Sequence, residues 1–266
     1  DQLNIAVFVE REKVWGADQI IKMIAKKDPT LALAEMLGGY WARQLHGSML
    51  SILKGAFASG GALASTHSTG ATYAGNPISA NAILKGKTIA MGDNMDRLSL
   101  AVMHSLVYAD TVNLQTEYDT GGSNAFTSGR VARVLGTDTY LDDNVNVSGA
   151  DYSSYLLAPG SIMFKFRDRE KQALSAGVFT NGVSQTGGVL NIEVELYRTP
   201  NVGGGQDNVA SRASYFVHIE GLKWNTTFPE GGPTETELQT AGSWAKSYTD
   251  NKLIRISEIK TGVSGL

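Results

Sequence analysis

Residues 29–57 read PTLALAEMLGGYWARQLHGSMLSILKGAF, and this stretch decides the fold class. Asp28 stands where a helix N-cap is wanted, and Pro29 at the first helical position has no N–H to leave unpaired. Ala34, Leu37, Trp41, Leu45, Met49, Ile52 and Ala56 then recur about every 3.7 residues, forming one apolar stripe. At about 1.5 Å per residue the helix is roughly 43 Å long. A mean helix has only about 11–12 residues, so this one is a structural spine. Gly38, Gly39, Gly47 and Gly55 each cost it up to about 1 kcal/mol relative to Ala. A helix that keeps them is expected to have another backbone close against it.

Upstream, LNIAVFVERE alternates Ile5, Val7 and Val9 against Ala6, Phe8 and Glu10, the period of a strand. GADQIIKMIAKKDP reads as a short helix, with Asp18 near its start and Lys26 and Lys27 at its end to suit the helix dipole. Downstream, the Gly, Ser, Thr and Ala of Ser59–Pro77 read as a loop or hinge and as the best internal boundary. ISANAILKGK follows as a short helix. MGDNMDRLSLAVMHSLVYADTVNLQ, residues 91–115, reads as a second capped apolar helix, with Asp93 or Asn94 as the cap.

The second half turns to strands. VARVLGTDTYLDDNVNVSG, residues 131–149, suggests a short helix and then a strand. Ile162, Phe164 and Phe166 alternate with Met163, Lys165 and Arg167. Ile192, Val194 and Leu196 alternate with Glu193, Glu195 and Tyr197. Tyr215, Val217 and Ile219 alternate with Phe216, His218 and Glu220. These are half-exposed antiparallel strands by pattern. TPNVGGGQDNVAS between the last two is a long hairpin tip. TETELQTAGSWAKSY reads as a helix with a capping box at Thr234 and Glu237, and KLIRISEI as a final strand. One strand, a long helix, mixed helices and then strands make an α+β fold; a parallel α/β enzyme would alternate regularly.

Composition narrows the function classes. Net charge is −3 over 266 residues, so no strong basic field draws nucleic acid or anionic lipid. With no cysteine there is neither a disulfide nor a thiolate metal site, which suits a reducing compartment. No apolar run reaches the roughly 18 residues that span a bilayer, and no signal peptide opens the chain. The chain begins on Asp1, which suggests removal of a segment upstream.

Each candidate for chemistry fails on its own terms. Ser105 follows His104, but helix neighbours point about 100° apart and cannot pair as nucleophile and base. A metal site there would want a second ligand at i+4, where Tyr108 stands. No G-x-S-x-G elbow frames a serine. His104 is therefore read as a packed or helix-end hydrogen bonder. His67, in STHSTG, is read as part of a solvated loop. Asp142, Asn144, Asn146 and Ser148 would share one strand face like the start of a calcium loop. However, Val147 stands where that loop needs Gly, and Ser153 where it needs a bidentate Glu. Gly203–Gln206 lacks the Lys and following helix of a phosphate cradle. Glu193 and Glu195, two apart on one strand face, read as a polar sheet face in place of a glycosidase pair. The expectation is no catalytic, cofactor-binding or metal site, no cofactor, and no enzyme.

Several stretches in common order resemble the tailed-bacteriophage major capsid proteins. They are KKDPTLALAEML with the Trp41-bearing helix ending ILKGAFAS, MHSLVYADTVNL, DYSSYLLAPGSIMF with its Tyr-x-x-Tyr-Leu turn, SYFVHIEGLKWN, and PTETELQTAGSWAKSYTDNKLIRISEI. None is a catalytic signature. The resemblance implies the Hong Kong 97-type capsid fold: a long spine helix on an elongated antiparallel sheet, plus an axial α/β domain. Residues 1–12 would be the returning strand of an extended hairpin loop. Residues 13–76 and 161–228 would form the peripheral domain, and 77–160 and 229–266 the axial domain. Members of that family carry an arm and the first strand of the hairpin loop before the position of Asp1.

The resemblance further implies a structural protein that self-assembles, as hexamers and pentamers, into an icosahedral shell around double-stranded DNA. It would do so without sequence-specific binding and without a membrane. Implied partners are a scaffolding protein, maturation protease, portal and decoration proteins. The implied location is the virion, assembled in the bacterial host cytoplasm. An encapsulin-type nanocompartment shell is the near alternative, and a hydrolase or sugar-binding β-rich protein the remote one.

Overall fold

The structure is a computed structural model. It describes residues 5–16, 29–118, 133–134, 137–167, 179–180, 183–184, 191–199, 206–225 and 232–264. The spine helix α1 spans Pro29–Phe57, the bounds read from sequence. Leu37, Trp41, Ile52 and Ala56 of the expected stripe are buried, and Leu45 and Met49 are half-buried. Towards the C-terminal end Leu50, Leu53 and Phe57 are buried as well, so the stripe widens until the helix is enclosed.

The first sheet is built on β11 (Gln206–Ile219). It pairs β1 (Val7–Gly16) from Val7↔Val217 to Gly16↔Asn208. It pairs β10 (Asn191–Thr199) from Ile192↔Ala213 to Thr199↔Gln206. It also pairs β7 (Ile162–Phe166) from Tyr215↔Phe166 to Ile219↔Ile162. The short strands β8 (Phe179–Thr180) and β9 (Val183–Ser184) pair with β10. All these pairs are antiparallel, and the alternation read from sequence decides which side chains meet α1. Val7, Val9, Tyr215, Val217 and Ile219 are fully buried in the core they share with Trp41, Ile52 and Leu53. On the opposite face Phe8 meets Phe216 with ring centroids 5.1 Å apart. Two polar contacts fix helix to sheet: Trp41 Nε1 donates to Ser211 Oγ at 2.7 Å, and Ser48 Oγ lies 2.7 Å from the Tyr215 hydroxyl.

The second sheet runs β14 (Ile256–Thr261), β6 (Asp151–Leu157), β2 (Leu100–Met103), β4 (Thr137–Leu141), β3 (Arg133–Val134), with β5 (Val147–Ser148) beside β6. β2 and β4 are parallel, and α3 (Ser105–Tyr118) follows β2. Both faces of β14, β6 and β2 are covered. Val102, Tyr155, Leu157 and Ile256 join the core of the spine helix, with Phe57 and Tyr155 ring centroids 5.8 Å apart. Ala101, Met103, Leu156 and Ile259 form a second core with α2 (Ala80–Met91) and Val107 of α3. Strands buried on both faces lose the polar/apolar alternation that would identify them in sequence.

β12 (Leu222–Trp224) and β13 (Trp244–Lys246) pair as a ribbon, their facing tryptophans edge-on at 5.1 Å. The turn helix α4 (Glu235–Leu238) precedes β13. Leu238, Trp244 and Ile254 lie in the core of the spine helix.

Several expectations are corrected. Residues 91–115 are not one helix: Met91 ends α2, Gly92–Arg97 form a 3-10 turn, and β2 precedes α3. The apolar residues 98–103 pack into a two-faced sheet, where an extended chain buries more of them. Arg133–Val134 form a strand, not a helix, paired to β4. The capping box at Thr234 and Glu237 is present, but its helix lasts one turn. The Trp224–Trp244 pairing then claims the following residues as strand. His218 is buried, although its phase placed it on the half-exposed face.

Among the described residues the glycine expectation holds at Gly55. A Cβ there would strike the Leu238 carbonyl and lie 2.7 Å from Trp244 Nε1. At Gly38, Gly39 and Gly47 a Cβ would meet none of the described residues within 4 Å. The short helix expected around residues 17–28, with the Asp28 cap, lies outside the described residues.

Candidate functional site

Among the described residues, hydrogen-bonded ionisable side chains cluster at two seams of the second sheet. The first seam is the turn after β4. Asp142 Oδ1 accepts the Asn144 N–H at 2.7 Å and its side-chain amide at 3.0 Å, an Asx turn. Its other oxygen, Oδ2, meets His46 Nε2 of α1. The His46 ring lies against Tyr140 of β4 at 5.3 Å. The next residue, Asp143, accepts the Ser105 N–H at 2.9 Å, closing the start of α3. His104 Nδ1 accepts the Leu106 N–H at 3.1 Å, and its ring packs on Tyr152 at 4.8 Å. Hydrogen bonds from Ser105, and secondarily the nearby His104, hold the Asp143 carboxyl below the usual aspartate range.

His104 is thus the helix-end hydrogen bonder expected from sequence, sitting just before α3 and not in mid-helix. Ser105 bonds Asp143, not His104. Asp142 and Asn144 come together in a turn instead of on a strand face, and Asn146 contributes its carbonyl to the Ser153 N–H at 2.9 Å. Ser148 lies in β5.

The second seam joins the 58–79 loop to β14. Here the solvated-loop reading is wrong: His67 is fully buried. Its Nε2 faces the Asn251 carbonyl at 3.0 Å and its Nδ1 the Thr66 hydroxyl at 2.8 Å. A neutral ring with the proton on Nε2 satisfies both. Burial pulls the His67 pKa below the ordinary histidine value. The backbone at Ser68 pairs in parallel with Glu258, Thr69 N–H donating to the Glu258 carbonyl at 3.0 Å.

The Glu258 side chain is fully buried on the spine-helix face of β14, in phase with Ile256. It accepts from Ser68 Oγ and Ser153 Oγ, both at 2.7 Å, with Lys260 Nζ 3.6 Å away. Burial raises its pKa above the usual glutamate range, against the serine hydrogen bonds and Lys260. Sequence reasoning missed Glu258: among Ser257, Ile259 and Lys260 nothing local marks it as buried.

A raised carboxyl pKa has a definite sign in stability. Below the unfolded value, about 4.3, both states hold the proton. As pH rises the unfolded chain releases it first, so the contribution of Glu258 falls until the folded pKa is passed. Glu258→Gln keeps the shape without the charge. Its urea midpoint relative to wild type is expected to improve from pH 4.5 to 7. A difference that stays flat, or moves the other way, refutes the assignment.

Gly203–Gly205 lie outside the described residues, and Gln206 opens β11 opposite Thr199. Glu193 and Glu195 stand in β10 across from Arg212 and Ala210. Among the described residues no group of three or more His, Cys, Asp or Glu could hold a metal ion. No helix among them is long and apolar enough to cross a membrane.

No family model matches the chain. Among solved structures, a chain of Mycobacterium phage Che8 matches this fold with a TM-score of 0.50 and 12% identity, over 79% of this chain and 66% of that one. The mixed helix-and-sheet fold is therefore one that a phage protein also adopts. In sequence, the major capsid protein of Bacillus phage SPP1 is 23% identical over 259 residues, which is 96% of this chain and 72% of that protein. The SrpI encapsulin complex of Synechococcus elongatus PCC 7942 gives a TM-score of 0.48 at 10% identity, over 97% of this chain and 75% of that one.

Proposed function

We propose that the chain is a major capsid protein, a structural subunit that self-assembles into the icosahedral shell of a tailed bacteriophage. The observation that carries this is the sequence relationship to the SPP1 major capsid protein across nearly the whole chain. The fold shared with a phage chain agrees with it. The finer reading is the Hong Kong 97-type fold. The β1–β11–β10 sheet under α1 serves as the peripheral domain, and the sheet β14-β6-β2-β4-β3 with α2 and α3 as the axial domain. Residues 229–266 belong to the axial domain in this reading, with Leu238 and Trp244 reaching the core of α1.

In such a shell, many copies tile a closed surface through heterologous contacts, and repetition turns weak contacts into large total stability. A net charge of −3 suits a container that encloses DNA without gripping its phosphates. Hexamers and pentamers, a scaffold, a protease, a portal and decoration proteins belong to this reading, as does assembly in the host cytoplasm.

Electron microscopy and sedimentation of the complete gene product, expressed with its scaffold, test the assignment. Closed shells that protect DNA are expected. A persistent monomer at high concentration refutes it, and shells loaded with an enzyme in place of DNA would identify a cellular nanocompartment.

A further inference from the structure

The turn after β4 carries consecutive aspartates, and each faces a histidine from a different element: Asp142 meets His46 of α1, and Asp143 meets His104 at the start of α3. The two pairs answer a proton in different ways. His46 approaches Asp142 through Nε2, and the Asp142 side chain is only 9% exposed. A proton on this imidazole turns a hydrogen bond from a neutral donor to a carboxylate into one that is also an ion pair, which is stronger.

His104 uses Nδ1 as an acceptor, for the Leu106 N–H. A proton on that nitrogen removes the lone pair and leaves a cation at the positive end of the helix dipole. Its remaining partner is Asp143 Oδ1, 3.6 Å away, which already accepts the Ser105 N–H. Tyr140 also faces His46, and Tyr152 faces His104. On α1 itself Arg43 stands one turn before His46.

The geometry points to a proton-operated clasp in this turn. When acid protonates both imidazoles, His46 grips Asp142 more firmly and ties α1 to the second sheet. At the same time His104 lets go of the first turn of α3. Acid thus redistributes the load carried by one turn, from the helix start to the bond between layers. The inference stands on intramolecular contacts and is independent of the shell assignment.

Amide hydrogen exchange of the full chain at pH 8 and pH 5.5, each relative to the intrinsic rate, reads the His104 half. Leu106 is expected to lose about five-fold protection at pH 5.5, the worth of a helix cap. His104→Asn, whose side-chain oxygen caps without titrating, is expected to keep equal protection at both pH values. Protection of wild-type Leu106 that ignores pH, or an equally pH-dependent H104N, overturns the proposal. A double-mutant cycle of His46→Gln and Asp142→Asn reads the other half, and Asn at 142 can still close the Asx turn. The coupling, expressed as a ratio of unfolding constants, is expected to be about five-fold larger at pH 5.5 than at pH 8. Equal coupling at both values overturns it.

Discussion

Trp41→Ala is expected to cost about 4 kcal/mol of folding stability, measured as a fall in the urea midpoint with the slope unchanged. Trp41 is fully buried midway along α1, within the core that joins helix and first sheet. Truncation opens a large cavity between them. It also strands the hydroxyl of Ser211, which is fully buried and takes its hydrogen bond from Trp41 Nε1 at 2.7 Å. Tyr40, edge-on to Trp41 at 5.2 Å, loses its neighbour as well. Against a typical total of about 5–15 kcal/mol, such a loss leaves little margin. Trp41→Phe retains most of the volume and isolates the hydrogen-bond share, expected near 1–3 kcal/mol because the Ser211 partner is left unpaired. A loss below about 1.5 kcal/mol for the alanine variant would mean that helix and sheet can close over the gap, and that Trp41 does not anchor them.

Gly55→Val is expected to be comparably damaging, about 3 kcal/mol or more, through overpacking instead of a cavity. The neighbour at this point is the Leu238 backbone carbonyl, with the Trp244 indole beside it, and Trp244 Nε1 donates to that same carbonyl at 2.8 Å. Neither can step aside without undoing the β12–β13 ribbon. The other glycines of the helix supply the control. At Gly39 and Gly47 a Cβ meets none of the described residues, so alanine there is expected to be neutral or to stabilise the isolated chain by up to about 1 kcal/mol. Circular dichroism melts of the set separate the two outcomes. If Gly55→Val melts with wild type, α4 and β13 do not press on α1 as described.

The glycine set also marks where legibility stopped. Four glycines in one long helix signalled close approach of another backbone, yet the cost of glycine is the same wherever it sits, so sequence could not say which one was used. The seam residues show the same limit. His104 was assigned a helix-end role without its partner, because Asp143 is distant in sequence and reaches Ser105 only through the parallel pairing of β2 with β4. His46 and Glu258 drew no notice, since a polar residue among mixed neighbours has no signature until a partner faces it. His67 misled in the opposite sense: its Gly- and Ser-rich surroundings describe a loop accurately, but composition does not reveal that the loop lies against β14.

By itself, the sequence determined the elements whose signal is local. The bounds of α1 follow from Pro29 and a sustained 3.6-residue stripe, and the strands of the first sheet follow from alternation between a buried and an open face. The capping box at Thr234 and Glu237 is likewise local, two side chains and two N–H groups within one turn. Tertiary structure alone decided the state of residues 98–103 and 133–134, and the early end of α4. It also decided the burial of His67 and Glu258. Strands covered on both faces carry no alternation, and a polar group becomes tolerable in the core only when chain segments far apart in sequence bring it hydrogen bonds.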